Sequence, residues 1–260
     1  MKPLETFSYG LPIARKNPSA KMWASIIPLL LCIGFSSLLV SIVTFIWISV
    51  LIFYYTEITW ISYWKLLMLP VGFLLISTVT IVFNQWDGTS RLIWGIALKS
   101  KIYGIDELSL SFGLNLILRA LAAVNCMYFL ALTTPMQDIL AVLQRLRVPK
   151  LVLNLMELIY RYIFVLLEEA ERMRKAQASR LGYQGFKRSV RSFGELLGQV
   201  FLRSYLRADK IYGALLARGF DGEINFFASD YESGKKLILT TSLLTLILLV
   251  VGIGERIVAN

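Results

Sequence analysis

Two arginines at the ends of long basic segments are the residues best placed for chemistry in this sequence. Arg180 stands in the stretch QASRLGY, and Arg218 stands in LLARGFDG, 38 residues further along. Each stretch places a small residue, an arginine and a glycine-containing turn after a run with helical spacing. A guanidinium carries a rigid fork of donors that can pair with a carboxylate or several carbonyls at once. The pattern indicates two similar arginine-tipped helix ends, although a basic residue in a last helical turn is also ordinary capping chemistry.

Catalytic and metal chemistry find little support in the composition. The chain has no histidine, which removes the commonest metal ligand and general base. Its two cysteines, Cys32 and Cys126, lie in apolar runs, where a thiol usually packs as a small apolar residue. The stretch ESGKKL, from Glu232, lacks the preceding glycine and the hydroxyl of a phosphate-binding loop. We therefore expect no catalytic residues, no metal ligands and no cofactor in this chain.

Long uncharged runs predict an integral membrane protein. Hydrophobic residues make up 57% of the 260 residues, and mean hydropathy is +0.64. A membrane-spanning helix needs about 20 apolar residues, so the uncharged run 22–55 predicts two helices with a tight turn near 34–37. Three further spans are predicted in the apolar runs 66–83, 114–134 and 237–254. Arg119 interrupts the second of these, and a charge in such surroundings usually has a partner. The total is about five crossings.

The distribution of charge predicts the topology. Of the net charge of +10, +9 lies in residues 145–218, where 15 Lys and Arg face six Asp and Glu. Basic segments tend to remain in the cytoplasm, and the N-terminus is basic as well. Five crossings then place the C-terminus outside. The loop around 85–110 then falls outside as well. Whether 89–110 crosses the membrane or lies on it stays open, and its part RLIWGIALKS, 91–100, is a candidate for lying along the interface.

Three helices are predicted in the basic region. The first follows Thr133, Thr134 and Pro135, a capping and start signal, and ends near Leu146. The second starts near Pro149 and meets no breaker until Gly182. The third covers 187–217, with Arg203, Arg207 and Lys210 on one face, which we interpret as a solvated or lipid-facing stripe.

The predicted fold class is therefore an all-α integral membrane protein. It has about five transmembrane helices and a cytoplasmic coupling domain of three helices, two of them long. Four transmembrane helices fall in 1–134, the coupling helices in 135–234 and the last transmembrane helix in 235–260. The basic residues alternate with Leu, Val, Ile and Phe, which argues against a simple polybasic tail. We expect the lipid bilayer, and no nucleic acid, as a partner.

Two stretches in this region resemble a known family. They are LTTPMQDILAVLQRLRVPKLVLNLMELIYRYIFVLLEEAERMRKAQASRLGY and GQVFLRSYLRADKIYGALLARGFDG. The sequence is similar to the transmembrane T component of energy-coupling factor (ECF) transporters, in the cobalt/nickel-type CbiQ branch. The resemblance is strongest over about 95–222. Two X-Arg-X ends on long basic helices, after Thr-Thr-Pro and an Arg-Val-Pro break, are its specific features.

The resemblance implies a coupling function without catalysis. A T component connects two cytoplasmic ABC-type ATPase subunits, which use the ATP, to a separate substrate-binding membrane subunit. In the family the X-Arg-X motifs dock into grooves on the two ATPases. Carried over, the docking residues are Ser179, Arg180 and Leu181 at the first end, and Ala217, Arg218 and Gly219 at the second. Ser179 and Leu181 depart from the commonest Ala-Arg-Gly form, while the arginine is kept.

Two other functions stay open at this point. The implied cargo is cobalt or nickel, but the docking motifs face the ATPase, so a T component for a vitamin such as biotin is an alternative. A membrane lipid-modifying enzyme, which would hold phosphate with the basic region, belongs to a different class. That enzyme predicts clustered acidic residues near the membrane for a metal ion. The only acidic cluster is Glu168, Glu169 and Glu171, inside a long basic helix.

Overall fold

The architecture follows from the alternation of long apolar runs with basic amphipathic ones. The computed structural model describes residues 16–35, 37–56, 58–85, 92–98, 101–219, 231 and 234–259. Eight helices lie in these ranges: α1 (Pro18–Phe35), α2 (Leu38–Thr56), α3 (Trp60–Val82), α4 (Glu107–Thr133), α5 (Met136–Arg145), α6 (Lys150–Ser179), α7 (Phe186–Ala217) and α8 (Lys235–Ala259). Three strands lie between α3 and α4: β1 (Asn84–Gln85), β2 (Leu92–Leu98) and β3 (Lys101–Asp106).

Five of these helices are long and apolar enough to cross a membrane. They are α1, α2, α3, α4 and α8. The helical membrane architecture and its five spans are therefore confirmed. The uncharged run 22–55 divides as predicted, since α1 ends at Phe35 and α2 begins at Leu38. Ser37 directly precedes α2, and its hydroxyl accepts a hydrogen bond from the Val40 amide at 3.3 Å, as an N-cap side chain does.

A small antiparallel sheet is an addition that the sequence reading did not predict. Its strand order is β1-β3-β2, with Gln85 opposite Tyr103 and Ile96 opposite Tyr103 on the other side. Within the stretch 89–110, for which crossing the membrane or lying on it was left open, residues 92–98 form β2 and 101–106 form β3, so these residues do not form a spanning helix. Short runs of β-branched and aromatic residues that are adjacent in sequence can pair with each other, and neither run is long enough for a spanning helix.

Helix α4 packs against α1, α2 and α3, and α8 packs against α1 and α2. Side chains from several of these helices form an apolar core that includes Ile48, Leu67 and Phe129. Close approach of α3 and α4 requires Gly113, because a Cβ there would lie 2.6 Å from Cγ2 of Val82. The bundle is thus organised around α4.

Two polar features inside the bundle are satisfied by the helices around them. The Asn125 amide donates to the Phe45 carbonyl at 3.1 Å and to Ser49 Oγ at 2.8 Å, and its oxygen accepts from the Tyr63 hydroxyl at 3.1 Å. Arg119 donates to the carbonyl of Ile33 in the last turn of α1. The expectation that Arg119 has a partner is therefore confirmed, and the partner is a helix-terminal carbonyl.

The chain divides into two compact units. Unit 1 comprises Met1–Ile139 and Ser229–Asn260, and unit 2 comprises Leu140–Ala228. Within unit 2, α6 and α7 are antiparallel, because Gln177 contacts Ser192 near the connecting loop and Glu169 contacts Arg207 further away. Both long helices match the predicted ones to within a few residues at each end. The break between α5 and α6 falls at Pro149, as predicted.

Candidate functional site

The C-terminal end of α6 is a complete capping motif centred on Arg180. Arg180 is the C-cap, with φ −92° and ψ 15°, and Leu181 follows in the left-handed conformation with φ 60°. The Leu181 amide donates to the Ala178 carbonyl at 2.9 Å, and the Gly182 amide donates to the Gln177 carbonyl at 2.9 Å. This pair of bonds satisfies carbonyls that the last helical turn would leave open. The motif fixes the backbone that carries Arg180.

The C-terminal end of α7 repeats this geometry at Arg218. Arg218 is the C-cap, with φ −96° and ψ 9°, and Gly219 is left-handed with φ 74°. The Gly219 amide donates to the Leu216 carbonyl at 3.0 Å, which is the counterpart of the Leu181 bond in α6. Glycine takes this conformation at little steric cost. Leu181 adopts the same conformation although it is not a glycine. The backbone at Arg180 therefore matches the backbone at Arg218.

All six candidate residues are exposed, namely Ser179, Arg180, Leu181, Ala217, Arg218 and Gly219. Among the residues that the structure describes, neither arginine side chain forms an ion pair or a hydrogen bond with the chain. Each guanidinium is therefore available to a group outside it. Ser179 is different, because its hydroxyl donates to the Lys175 carbonyl of its own helix at 3.1 Å.

The two arginines are far apart. The loop 181–185 separates Arg180 from the start of α7, and Arg218 directly follows the last residue of α7. A helix of 32 residues is about 48 Å long at 1.5 Å per residue. The two arginines therefore cannot bind the same small ligand, and each must contact a different group.

Residues that sequence reasoning missed hold the Arg180 end in place. The Ser192 hydroxyl donates to the Gly182 carbonyl at 2.8 Å, and Gln177 Nε2 donates to the Ser192 carbonyl at 3.0 Å. The Tyr183 hydroxyl donates to Gln177 Oε1 at 2.7 Å. These three side chains connect the end of α6, the loop and the first turns of α7. Nothing in their spacing marks them, since Gln177 and Ser192 resemble ordinary helix-surface residues.

Each glutamate of the acidic cluster of α6 pairs with a basic residue. Glu168 pairs with Arg172 at 2.6 Å, Glu171 pairs with Lys175 at 3.1 Å, and Glu169 pairs with Arg207 of α7. The hydrogen bond from Lys175 lowers the pKa of the Glu171 carboxyl. The prediction of a solvated or lipid-facing stripe is therefore wrong for Arg207, because this half-buried side chain connects α6 to α7. Arg203 and Lys210 are exposed, as expected.

Comparison with known proteins identifies the family. A family model described as cobalt transport protein, CbiQ, matches residues 11–227, which include both arginine-capped ends. This protein belongs to the CbiQ family. The CbiQ sequence resemblance noted above is thereby confirmed, and the chain is a T component of the ECF transporter type.

Several curated relatives of this CbiQ-family protein are named as transport proteins. The cobalt transport protein CbiQ of Salmonella typhimurium is 28% identical over 64% of this chain and 75% of its own length. The energy-coupling factor transporter transmembrane protein EcfT of Staphylococcus aureus is 26% identical over 80% of both chains. The nickel permease LarQ of Lactiplantibacillus plantarum is 34% identical over 44% of this chain and 40% of its own. The CbiQ-family chain is accordingly a multi-pass membrane component of a transporter.

Proposed function

We propose that this CbiQ-family protein couples two cytoplasmic ABC-type ATPase subunits to a substrate-binding membrane subunit, and that the complex imports cobalt or nickel ions. The pair of matched arginine caps carries this proposal. Two equivalent ends on one chain suit two equivalent sockets, such as those on a pair of related ATPases. The chain itself is a non-catalytic subunit, and ATP is used by the partners. Their motion is passed through unit 2 to the membrane.

The geometry of the caps supports docking over simple charge at a helix end. An arginine caps its own helix when its side chain donates hydrogen bonds to the last carbonyls of that helix. Here backbone amides satisfy those carbonyls, and both guanidiniums stay exposed. A separation of about 48 Å along α7 also favours two different partner subunits over one small ligand. An acidic or carbonyl-lined groove is the complementary socket for each arginine.

An exposed apolar stripe on α7 supports a membrane partner. Its members follow helical spacing and all are exposed, namely Phe186, Val190, Phe193, Leu197 and Phe201. A Cβ added at Gly194 or Gly198, beside this stripe, would meet no atom within 4 Å. Contiguous apolar surface of this kind usually belongs to an interface. We infer that helices of the substrate-binding subunit cover it.

The names of the relatives support a metal cargo. One relative is named a cobalt transport protein and another a nickel permease. The Staphylococcus relative is named only as an energy-coupling component, so a vitamin remains the alternative cargo. The concentration of basic residues in 145–218 supports a cytoplasmic location for unit 2 and the N-terminus, with the C-terminus outside.

Co-purification with candidate ATPase subunits tests the proposal. We compare the wild type with Arg180→Glu, Arg218→Glu and the double variant, with Arg203→Glu as the matched control. Arg203 is likewise an exposed arginine, and it lies within α7, away from both caps. Each single variant should weaken association by about 30-fold or more, since losing such an anchor often costs about 2 kcal/mol. The double variant should lose association, while the control should retain it.

Two outcomes would overturn the docking assignment. One is an intact ATPase complex in the double variant, and the other is an equal loss in Arg203→Glu, which would indicate a general charge effect. Uptake of Co²⁺, Ni²⁺ and biotin by cells that carry the full complex then identifies the cargo. Saturable biotin uptake without metal uptake would contradict the metal assignment.

A further inference from the structure

A buried ion pair lies where the chain leaves unit 1. Lys21 is fully buried, and its Nζ donates to Asp138 Oδ2 at 3.3 Å and to the Thr133 carbonyl at 3.2 Å. Thr133 is the last residue of α4, and Asp138 lies in the first turn of α5. A cation at a helix C-terminus and an anion in a first turn are both favourable. One lysine of α1 thus holds the junction between α4 and α5.

The Asp138 carboxylate also binds the segment with which the chain returns to unit 1. The Tyr231 hydroxyl donates to Asp138 Oδ1 at 2.9 Å, so both carboxylate oxygens are engaged. Asp138 lies one residue before unit 1 ends at Ile139, and Tyr231 lies two residues after unit 1 resumes at Ser229. A single side chain therefore joins two residues that lie close in sequence to the places where the backbone passes between the units.

The start of α8 is packed tightly next to this cluster. A Cβ added at Gly234 would lie 2.9 Å from Cβ of Ala20, the residue before Lys21. The Gly234 carbonyl accepts the first hydrogen bond of α8, from the Ile238 amide at 3.0 Å. The returning chain is thus held at two nearby points, at α5 by the bond from Tyr231 to Asp138 and against α1 by the close packing of Gly234.

Stability alone does not account for such a pair. Replacing a buried ion pair by well-packed apolar residues is often neutral or stabilising, whereas a conformational role can favour keeping the charges. We propose that Asp138, together with Lys21 and Tyr231, is a positioning residue for energy coupling, because it anchors both chain crossings to α1. When unit 2 is displaced, the movement is then transmitted to the membrane helices. Without this anchor, the first turn of α5 and the segment before α8 would unfold locally and the movement would be lost there. This inference rests on the proposed coupling function.

The test measures coupling separately from docking. The complete complex of this chain, its ATPases and the substrate-binding subunit is placed in vesicles, and Co²⁺ uptake is divided by ATP hydrolysed. Asp138→Asn removes the charge, and Tyr231→Phe removes one hydroxyl. Tyr63→Phe is the matched control, because it also deletes a hydrogen-bonded tyrosine hydroxyl, the one that bonds Ser49 and Asn125, within unit 1 but away from the crossings.

Uptake per ATP should fall about tenfold in Asp138→Asn, because losing a hydrogen bond to a charged group changes an equilibrium constant by about this factor. The fall should be smaller in Tyr231→Phe. The amount of co-purified ATPase should stay at the wild-type level, and Tyr63→Phe should transport normally.

Three results would overturn the inference. They are an unchanged ratio in Asp138→Asn and Tyr231→Phe, an equal fall in Tyr63→Phe, and a fall that follows loss of ATPase from the complex. If Asp138→Asn fails to accumulate in the membrane, Tyr231→Phe decides alone, because it leaves the ion pair in place. Failure of the wild type to associate with the ATPases would instead refute the proposed function, so the two failures are distinguishable.

Discussion

Arg180 and Arg218 adopt almost the same backbone conformation at the C-caps of consecutive helices, with φ/ψ of −92°/15° and −96°/9°. In each case the next residue is left-handed, Leu181 at φ 60° and Gly219 at φ 74°. The shared geometry orients both arginines alike relative to their helices despite different neighbouring side chains. This equivalence is the physical reason for expecting two similar sockets.

The left-handed position at Gly219 predicts opposite effects for one substitution at two sites. Gly219→Ala should lower the free energy of unfolding by about 1 kcal/mol, since a Cβ is disfavoured at positive φ. Gly194→Ala, inside α7 with open space around the new Cβ, should raise it by about 0.5–1 kcal/mol. Thermal or denaturant unfolding of the purified chain measures both. The same sign at both positions would contradict the cap geometry.

The loop contacts predict that Ser192 affects docking at one end only. Ser192→Ala deletes the hydrogen bond to the Gly182 carbonyl, which should weaken association through Arg180 by about fivefold. We expect the loss to be clearest in an Arg218→Glu background, where only the Arg180 end remains. Ser204→Ala is the control, because the Ser204 hydroxyl donates to the Val200 carbonyl of its own helix. Equal losses in both serine variants would exclude a specific role for the loop.

The buried amide of Asn125 predicts a stability effect inside the membrane. Asn125→Leu removes bonds to Phe45, Ser49 and Tyr63 and should destabilise the bundle by about 1 kcal/mol. Ser77→Ala should change little, since the Ser77 hydroxyl donates to the nearby Leu74 carbonyl. Unfolding in detergent or bilayers provides the measurement. An Asn125→Leu chain as stable as the wild type would indicate that the network does not stabilise the bundle.

The ion pair between α6 and α7 should contribute more to the free energy of unfolding than the ion pairs within one helix. Arg207→Ala leaves Glu169 half-buried, and Glu169 Oε2 already lacks a hydrogen-bond donor among the described residues, so we expect a cost of about 1–2 kcal/mol. Arg172→Ala breaks only an exposed pair with Glu168 and should cost about 0.3–0.5 kcal/mol. Unfolding of the two variants at low and high salt measures the difference. Equal costs would mean that the interhelical pair has no special weight.

Sequence reasoning was most successful where the signal is local. The division of the run 22–55, the break at Pro149 and the ends of α6 and α7 follow from hydrophobic periodicity and from proline and glycine. It failed at 92–106, where β2 and β3 form a hairpin. The pairing of Arg207 with Glu169 was missed for another reason, since it depends on how α6 crosses α7.

The sequence by itself determined the membrane class, the helices of unit 2 and the positions of both arginines, because each depends on residues within a few turns of one another. Only the tertiary structure decided that Leu181 takes the same left-handed conformation as Gly219, and that Ser192 holds the loop beside it. It also decided that Asp138 meets Lys21, 117 residues away, and Tyr231, 93 residues away. Such contacts depend on the path of the whole chain, which brings distant residues together through helix packing and leaves no spacing pattern in the sequence.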